Sequence, residues 1–257
     1  MPLAAGFTRD RFTWLAYLLL AYYAYMQASL GPLMPFLAAE MGMSYTVRGL
    51  HLSAFALGMI IAGSTAERAA QRYGRSRLLW VGGGGMACAA LVLTAVRTPA
   101  LTIAASLAMG MIGSYLLVMI QATLSDHHGS NRSIALTESN VCASLAAMCA
   151  PLLISQGEGL SLGWRLAILV GAGAWVVLAV TGRGVPIPAE PPVSAAQDRD
   201  RRLPRLFWIY WLVVLLGVSV EWSVVFWSSE YLEQVVGLDR ITAAGALTFF
   251  FLAAVIG

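Results

Sequence analysis

An all-α, polytopic membrane fold is what this sequence predicts, and three observations carry it. Eight apolar stretches run along the chain, each close to the roughly 20 helical residues that a hydrocarbon core about 30 Å thick demands. The composition is 59% hydrophobic and only 11% charged, whereas soluble domains average about a quarter charged. Arginines gather in alternate loops, as the orientation rule for membrane helices requires.

The stretches fall, in order, at residues 12–37, 46–66, 78–96, 100–124, 134–154, 164–181, 206–228 and 241–257. The first is too long for the apolar core of a signal peptide and no small-residue cleavage site follows it, so it stays as an anchor. Trp14, Trp80, Trp164 and Trp208 lie near stretch ends, where indole rings favour the headgroup region. Loops up to the sixth stretch are short, so consecutive helices pack as antiparallel neighbours. The exception is the segment 183–205, which holds Pro186, Pro188, Pro191, Pro192 and Pro204 and the charged run 198–202. Such a segment cannot bury apolar surface and reads as a flexible linker. The eighth stretch ends without a polar flank, which reads as a longer protein cut short. The expected division is a six-helix bundle over 1–182, a linker over 183–205, and the start of a second bundle over 206–257.

All sixteen basic residues are arginine. With the N-terminus inside, twelve of them (9, 11, 68, 72, 75, 77, 132, 183, 199, 201, 202, 205) face the cytoplasm and four (48, 97, 165, 240) the other side. That asymmetry places the N-terminus and linker in the cytoplasm. The net charge of +3 then needs no nucleic-acid partner. Cys88, Cys142 and Cys149 lie inside stretches and read as small core residues rather than disulfides or metal ligands. At an offset of 195 residues, Phe36-Leu37…Gly42-Met43-Ser44 aligns with Tyr231-Leu232…Gly237-Leu238-Asp239. In both copies Gly breaks a helix and Ser or Asp stands where the next N-cap belongs. Parallel repeats of a transporter would produce this.

Four segments carry a resemblance to the major facilitator superfamily of secondary transporters. They are Gly31-Pro-Leu-Met-Pro35 through Ser44, the loop Gln71-Arg72-Tyr73-Gly74-Arg75-Ser76-Arg77, the loop from Asp126 to Arg132, and Gly163-Trp164-Arg165. The second resembles the end of the family pattern G-x-x-x-D-R-x-G-R-[KR]. Its acidic position falls on Gln71 and its leading Gly on Glu67; alternatively, the pattern starts at Gly63 and one helical turn is inserted before Gly74. The resemblance implies a gating role for Gln71, Arg72, Gly74, Arg75, Asp126 and Arg132. It also implies a central cavity lined by helices one and seven. The family's helix-four arginine falls on Ser106, and the Gly-rich pattern usual in helix five of drug antiporters is replaced by Ala147-Met-Cys-Ala-Pro151. These departures argue against a typical multidrug antiporter.

Chemistry inside a bilayer comes from the few polar groups placed there, because ionisable residues in hydrocarbon are costly. Glu221 stands fifteen residues into the seventh stretch, far from either interface by helical rise. Desolvation there would favour its protonated form, suiting it to proton exchange near neutral pH. The repeat offset sets it against Met26, beside Gln27. Glu138, nearer the cytoplasmic end, is the second proton-coupling candidate, or else snorkels to pair with a loop arginine such as Arg132. Tyr23, Gln27, Tyr115, Asn140 and Trp222 are the candidates for a substrate cavity. His51 reads as a hydrogen-bonded interfacial residue. Residues 82–85, four glycines in a row, lack the strand and the Lys-Ser/Thr of a phosphate loop and mark close helix packing instead. His127 and His128 lack the carboxylate partner of a metal site. The sequence therefore predicts a transporter that moves a small solute by alternating access, with protons as the coupling ion and no cofactor. A receptor or assembly subunit on the same fold is the rival. A membrane-embedded enzyme would need clustered catalytic groups, and the stretches hold only one His, two Glu and no Asp.

Overall fold

A computed structural model describes residues 7–188 and 204–256, with side chains through 253. Eight helices account for nearly all of it: α1 (Arg11–Met41), α2 (Tyr45–Tyr73), α3 (Arg75–Ala95), α4 (Pro99–His128), α5 (Arg132–Gly159), α6 (Arg165–Gly182), α7 (Arg205–Gln234) and α8 (Arg240–Ile256). Among the described residues there is no strand. Five helical runs are long and apolar enough to cross a membrane, and one of them, Pro99–Gly159, contains both α4 and α5. Tyrosine-rich α1 and the 17-residue α8 fall short of that measure. Residues 189–203 of the expected linker, with Arg199, Arg201 and Arg202, lie outside the described residues.

Helix ends follow local chemistry. Asp10 caps α1 by accepting from the Thr13 backbone N–H at 2.8 Å. Gly42 ends that helix in the left-handed region at φ 61°, where a Cβ would be strained. Ser44 then caps α2, accepting from the Val47 N–H. The second copy of the repeat is built alike: Gly237 adopts φ 81°, and Asp239 accepts from the Thr242 N–H at 3.0 Å. Pro99 opens α4, where its missing N–H costs nothing.

Two expected loops nearly vanish. Gln71, Arg72 and Tyr73 form the last turn of α2, and Arg75 to Arg77 the first turn of α3, so Gly74 alone makes the corner. Its φ of 82° breaks the helix in a single residue. Between α4 and α5, Asp126 to His128 remain helical and only a 3₁₀ turn over Gly129–Asn131 intervenes.

The helices pack around α1, which is buried along most of its length. It lies chiefly against α5; α4 is sandwiched between α2 and α3; α8 lies on α5, and α7 touches α1. Glycine lets several of these crossings come close. A Cβ on Gly110 would collide with the Phe55 carbonyl, and one on Gly58 with that of Leu107, so α2 and α4 meet backbone to backbone. The glycine run of α3 works the same way, with Trp175 of α6 seated against Gly83 and Gly84. No Cys is fully buried, and Cys88 is exposed on the outside of α3, so the expectation of core thiols does not hold. Trp164 also departs from the interfacial expectation. It is only 2% exposed, because its indole N–H donates to Glu40 at 2.8 Å.

Candidate functional site

A cavity of about 520 Å³ opens between α1, α2, α4, α5, α7 and α8. Glu221 lines it from the middle of α7, with its neighbour Trp222. From α1 come Tyr23 and Gln27, from α4 Gln121, and from α5 Asn140 and Ser144. The rest of the wall is apolar, including Leu20, Met59, Leu117 and Phe251. Helical periodicity explains this company. Tyr23 and Gln27 are four residues apart on α1, as Asn140 and Ser144 are on α5, so each pair shares a face.

Four of the five expected cavity residues therefore meet, together with Glu221. Tyr115 is the exception. Its hydroxyl hydrogen-bonds Thr65 Oγ1 at 2.8 Å and ties α4 to α2. Gln121 and Ser144 join the cavity beyond the expected set. Both carry the same signal that marked Gln27, a polar side chain within an apolar helix. The Tyr23 hydroxyl is already engaged with Ser114 at 3.2 Å, and Gln27 Nε2 approaches Met59 Sδ at 3.8 Å. Glu221, by contrast, forms no hydrogen bond or ion pair among the described residues.

The cavity closes toward the end that carries the α1–α2 turn. There Arg48 of α2 pairs with Glu230 of α7, and the backbones of α1 and α7 come so close that a Cβ on Gly31 would lie 2.6 Å from the Val225 carbonyl oxygen. Glu230 is only 6% exposed. Toward the other end, residues 205–221 of α7 are exposed throughout. Glu230 was absent from the expected set. The signal for it was an acidic residue at the tail of an apolar helix, with Arg48 at the corresponding end of α2.

Glu138 lies outside the cavity wall. Its carboxylate accepts from Arg9 Nε at 2.8 Å and Nη2 at 2.5 Å, and from the Tyr17 hydroxyl at 3.0 Å. The expected partner Arg132 is replaced by Arg9 because Asp10 caps α1 immediately after it and brings it over α5. Asp10 also accepts from His127 Nε2 at 2.7 Å, and hydrogen bonds from Thr13 and His127 hold its carboxyl below the usual range although burial opposes them. The gating candidates divide. Arg75 and Asp126 form an ion pair at 2.6 Å that ties the start of α3 to the end of α4. Gln71 donates to Glu67 at 3.3 Å, Arg72 lies over the Tyr73 ring, and Arg132 is exposed at the start of α5. His51 is structural, bonded to the Val47 carbonyl and to Thr102 Oγ1, both at 2.7 Å.

A second groove, of about 550 Å³, lies between α1, α5 and α6, but its wall is apolar. The hydroxyls of Tyr22 and Tyr25 there are spent on the carbonyls of Gly83 and Ala167.

Comparison with known proteins places the chain. A family model described as Major Facilitator Superfamily matches residues 13–257. Crystal structures of the peptide transporter POT superpose on it. A point mutant with sulfate gives a TM-score of 0.60 at 15% identity, covering 98% of this chain and 51% of that one. POT with sulfate gives 0.59 at 14%, with the same coverage. A mutant with alafosfalin gives 0.58 at 14%, covering 87% and 48%. The chain thus spans about half the length of these structures. No curated protein matches it.

Proposed function

The chain belongs to the Major Facilitator Superfamily, and on that premise we propose that its protein moves a small solute across a membrane by alternating access, coupled to protons through Glu221. In this reading residues 1–182 are the first bundle, 183–205 a cytoplasmic linker, and 206–257 the opening of the second bundle. The membrane is the plasma membrane, and the N-terminus lies in the cytoplasm.

One observation carries the proposal. Glu221 sits on the wall of the only polar cavity of this size among the described helices, near the middle of α7. A carboxyl there gains and loses a proton at a cost set by what shares the cavity with it, which is what a coupling group requires. Glu138 is the lesser candidate. It is held by Arg9 and Tyr17 at the helix ends, so its charge is already compensated.

The test uses the protein expressed from its complete gene and reconstituted in liposomes. Glu221→Gln should abolish uphill, pH-gradient-driven accumulation while leaving downhill exchange and folding nearly intact, since a neutral amide is cheaper to bury than a carboxylate. Glu138→Gln should reduce accumulation only partly. Normal accumulation by Glu221→Gln removes the residue from coupling.

A further inference from the structure

Within the cavity Glu221 is the sole ionisable carboxylate among the described residues, and no basic side chain shares the wall with it. Arginines are committed elsewhere. Arg48 and Arg240 pair with Glu230 and Glu233 at one end of the bundle, and Arg9 and Arg75 with Glu138 and Asp126 at the other. A carboxylate at this depth is costly to leave charged and alone. Two things can neutralise it: a proton, or a positive charge on the solute.

Resting on the transport reading above, we propose that the solute is an organic cation with an apolar body, and that it competes with a proton for Glu221. The rest of the wall suits such a molecule. Trp222 offers an aromatic face to an ammonium group. Carboxamide oxygens of Gln121 and Asn140 can accept its N–H bonds, while Leu117, Ala143 and Phe251 meet hydrocarbon. A volume of about 520 Å³ lies within the range that holds small organic ligands.

The competition makes an exchanger. When the cation enters, the carboxyl of Glu221 gives its proton to water in the cavity, and the resulting carboxylate accepts from the ammonium. When a proton arrives from the other side it takes that carboxylate and the cation leaves. One proton is released for each monovalent cation bound. Both loaded forms of the cavity are neutral, so the exchange follows the pH gradient and not the membrane potential.

The experiment measures binding and proton release together, on the purified full-length protein in weakly buffered detergent between pH 5 and 8. The probes are 2-phenylethylamine and its N,N,N-trimethyl derivative, with the uncharged 2-phenylethanol and the anionic 3-phenylpropanoate as shape-matched controls. Both cations should bind at least tenfold more tightly than either control, more weakly as the pH falls, with release approaching one proton per cation. Glu221→Gln should bind them at least tenfold more weakly and release none, whereas Glu221→Asp should retain release. Retained release by Glu221→Asp keeps the result interpretable if the Gln variant folds poorly. Cation affinity independent of pH, preference for a control, or silence across all four probes overturns the proposal. The transport reading fails separately. Glu221-dependent, pH-driven uptake of a neutral or anionic solute keeps that reading and discards the cationic solute, while absence of any pH-driven flux from liposomes discards the coupling itself.

Discussion

Glu40, three residues beyond the first apolar stretch, shows how a single carboxylate organises one end of the bundle. It accepts from Arg165 Nη1 at 2.8 Å and Nη2 at 2.6 Å, from the Trp164 indole at 2.8 Å, and from Arg97. The end of α1, the α3–α4 turn and the start of α6 are joined there. Arg165 chiefly, with Trp164 and Arg97, holds the Glu40 carboxyl at about 2, against an ordinary value of 4.5, although partial burial pushes the other way. Because the folded value is the lower one, the stabilisation is complete above the ordinary value and is lost as the pH falls through it toward the folded value. Glu40→Gln should therefore cost about 1–2 kcal/mol at neutral pH, at the low end for hydrogen bonds to charged groups because the site is partly open to water. Thermal unfolding in detergent should show a gap between wild type and variant that is constant from about pH 6 to 8 and shrinks below about pH 4. A gap that widens on acidification would contradict the clamp.

At the level of helices, the tightest constraint is the crossing of α2 and α4, where Gly58 and Gly110 each face the other helix's backbone. Gly110→Leu must push the helices apart and should destabilise by about 1–3 kcal/mol, as overpacking does. Gly63→Leu, on the same helix α2 with open space around its Cβ position, should be nearly neutral; equal melting temperatures for the two would refute the crossing. Elements of this kind were legible in the sequence because they follow from local rules. Apolar length gave eight helices, and Gly42, Ser44, Gly237 and Asp239 gave their ends. Cavity residues were legible where a polar side chain interrupts an apolar helix, as Gln27, Asn140 and Glu221 do. What the sequence could not supply was pairing between distant segments. Glu138 takes Arg9, 129 positions away, and not the nearby Arg132, while Tyr115 turns to Thr65 and away from the cavity. Those outcomes depend on which helix faces are adjacent, and periodicity alone leaves that open. Trp164 misled for a related reason. An indole near a stretch end usually seeks the interface, but here a buried carboxylate competed for its N–H.

Taken as a whole, the molecule is closed at the α1–α2 turn end by two contacts of different kinds, the backbone approach at Gly31 and the Arg48–Glu230 pair. Alternating access, the mode proposed above, requires both to separate in the opposite state. Gly31→Leu adds a side chain where even a Cβ would lie 2.6 Å from the Val225 carbonyl oxygen, so it penalises the closed state without touching the open one. A penalty of about 3 kcal/mol shifts the ratio of two states roughly a hundredfold. Arg48→Ala acts in the same direction by another route. It leaves Glu230, with a side chain only 8% exposed, as a buried charge without its partner, and opening lets that charge regain water. The readout is a cysteine in place of Ser229, which is 1% exposed on α7 near the closure, in protein from which the three native cysteines have been removed. Its reaction with a water-soluble maleimide should accelerate at least tenfold with Gly31→Leu and less with Arg48→Ala. A cysteine in place of Ser106, buried in α4 away from that contact, should keep its rate. Equal acceleration at both positions would mean that the substitutions loosen the bundle generally, and no acceleration at Ser229 would mean that these contacts do not hold the closed state.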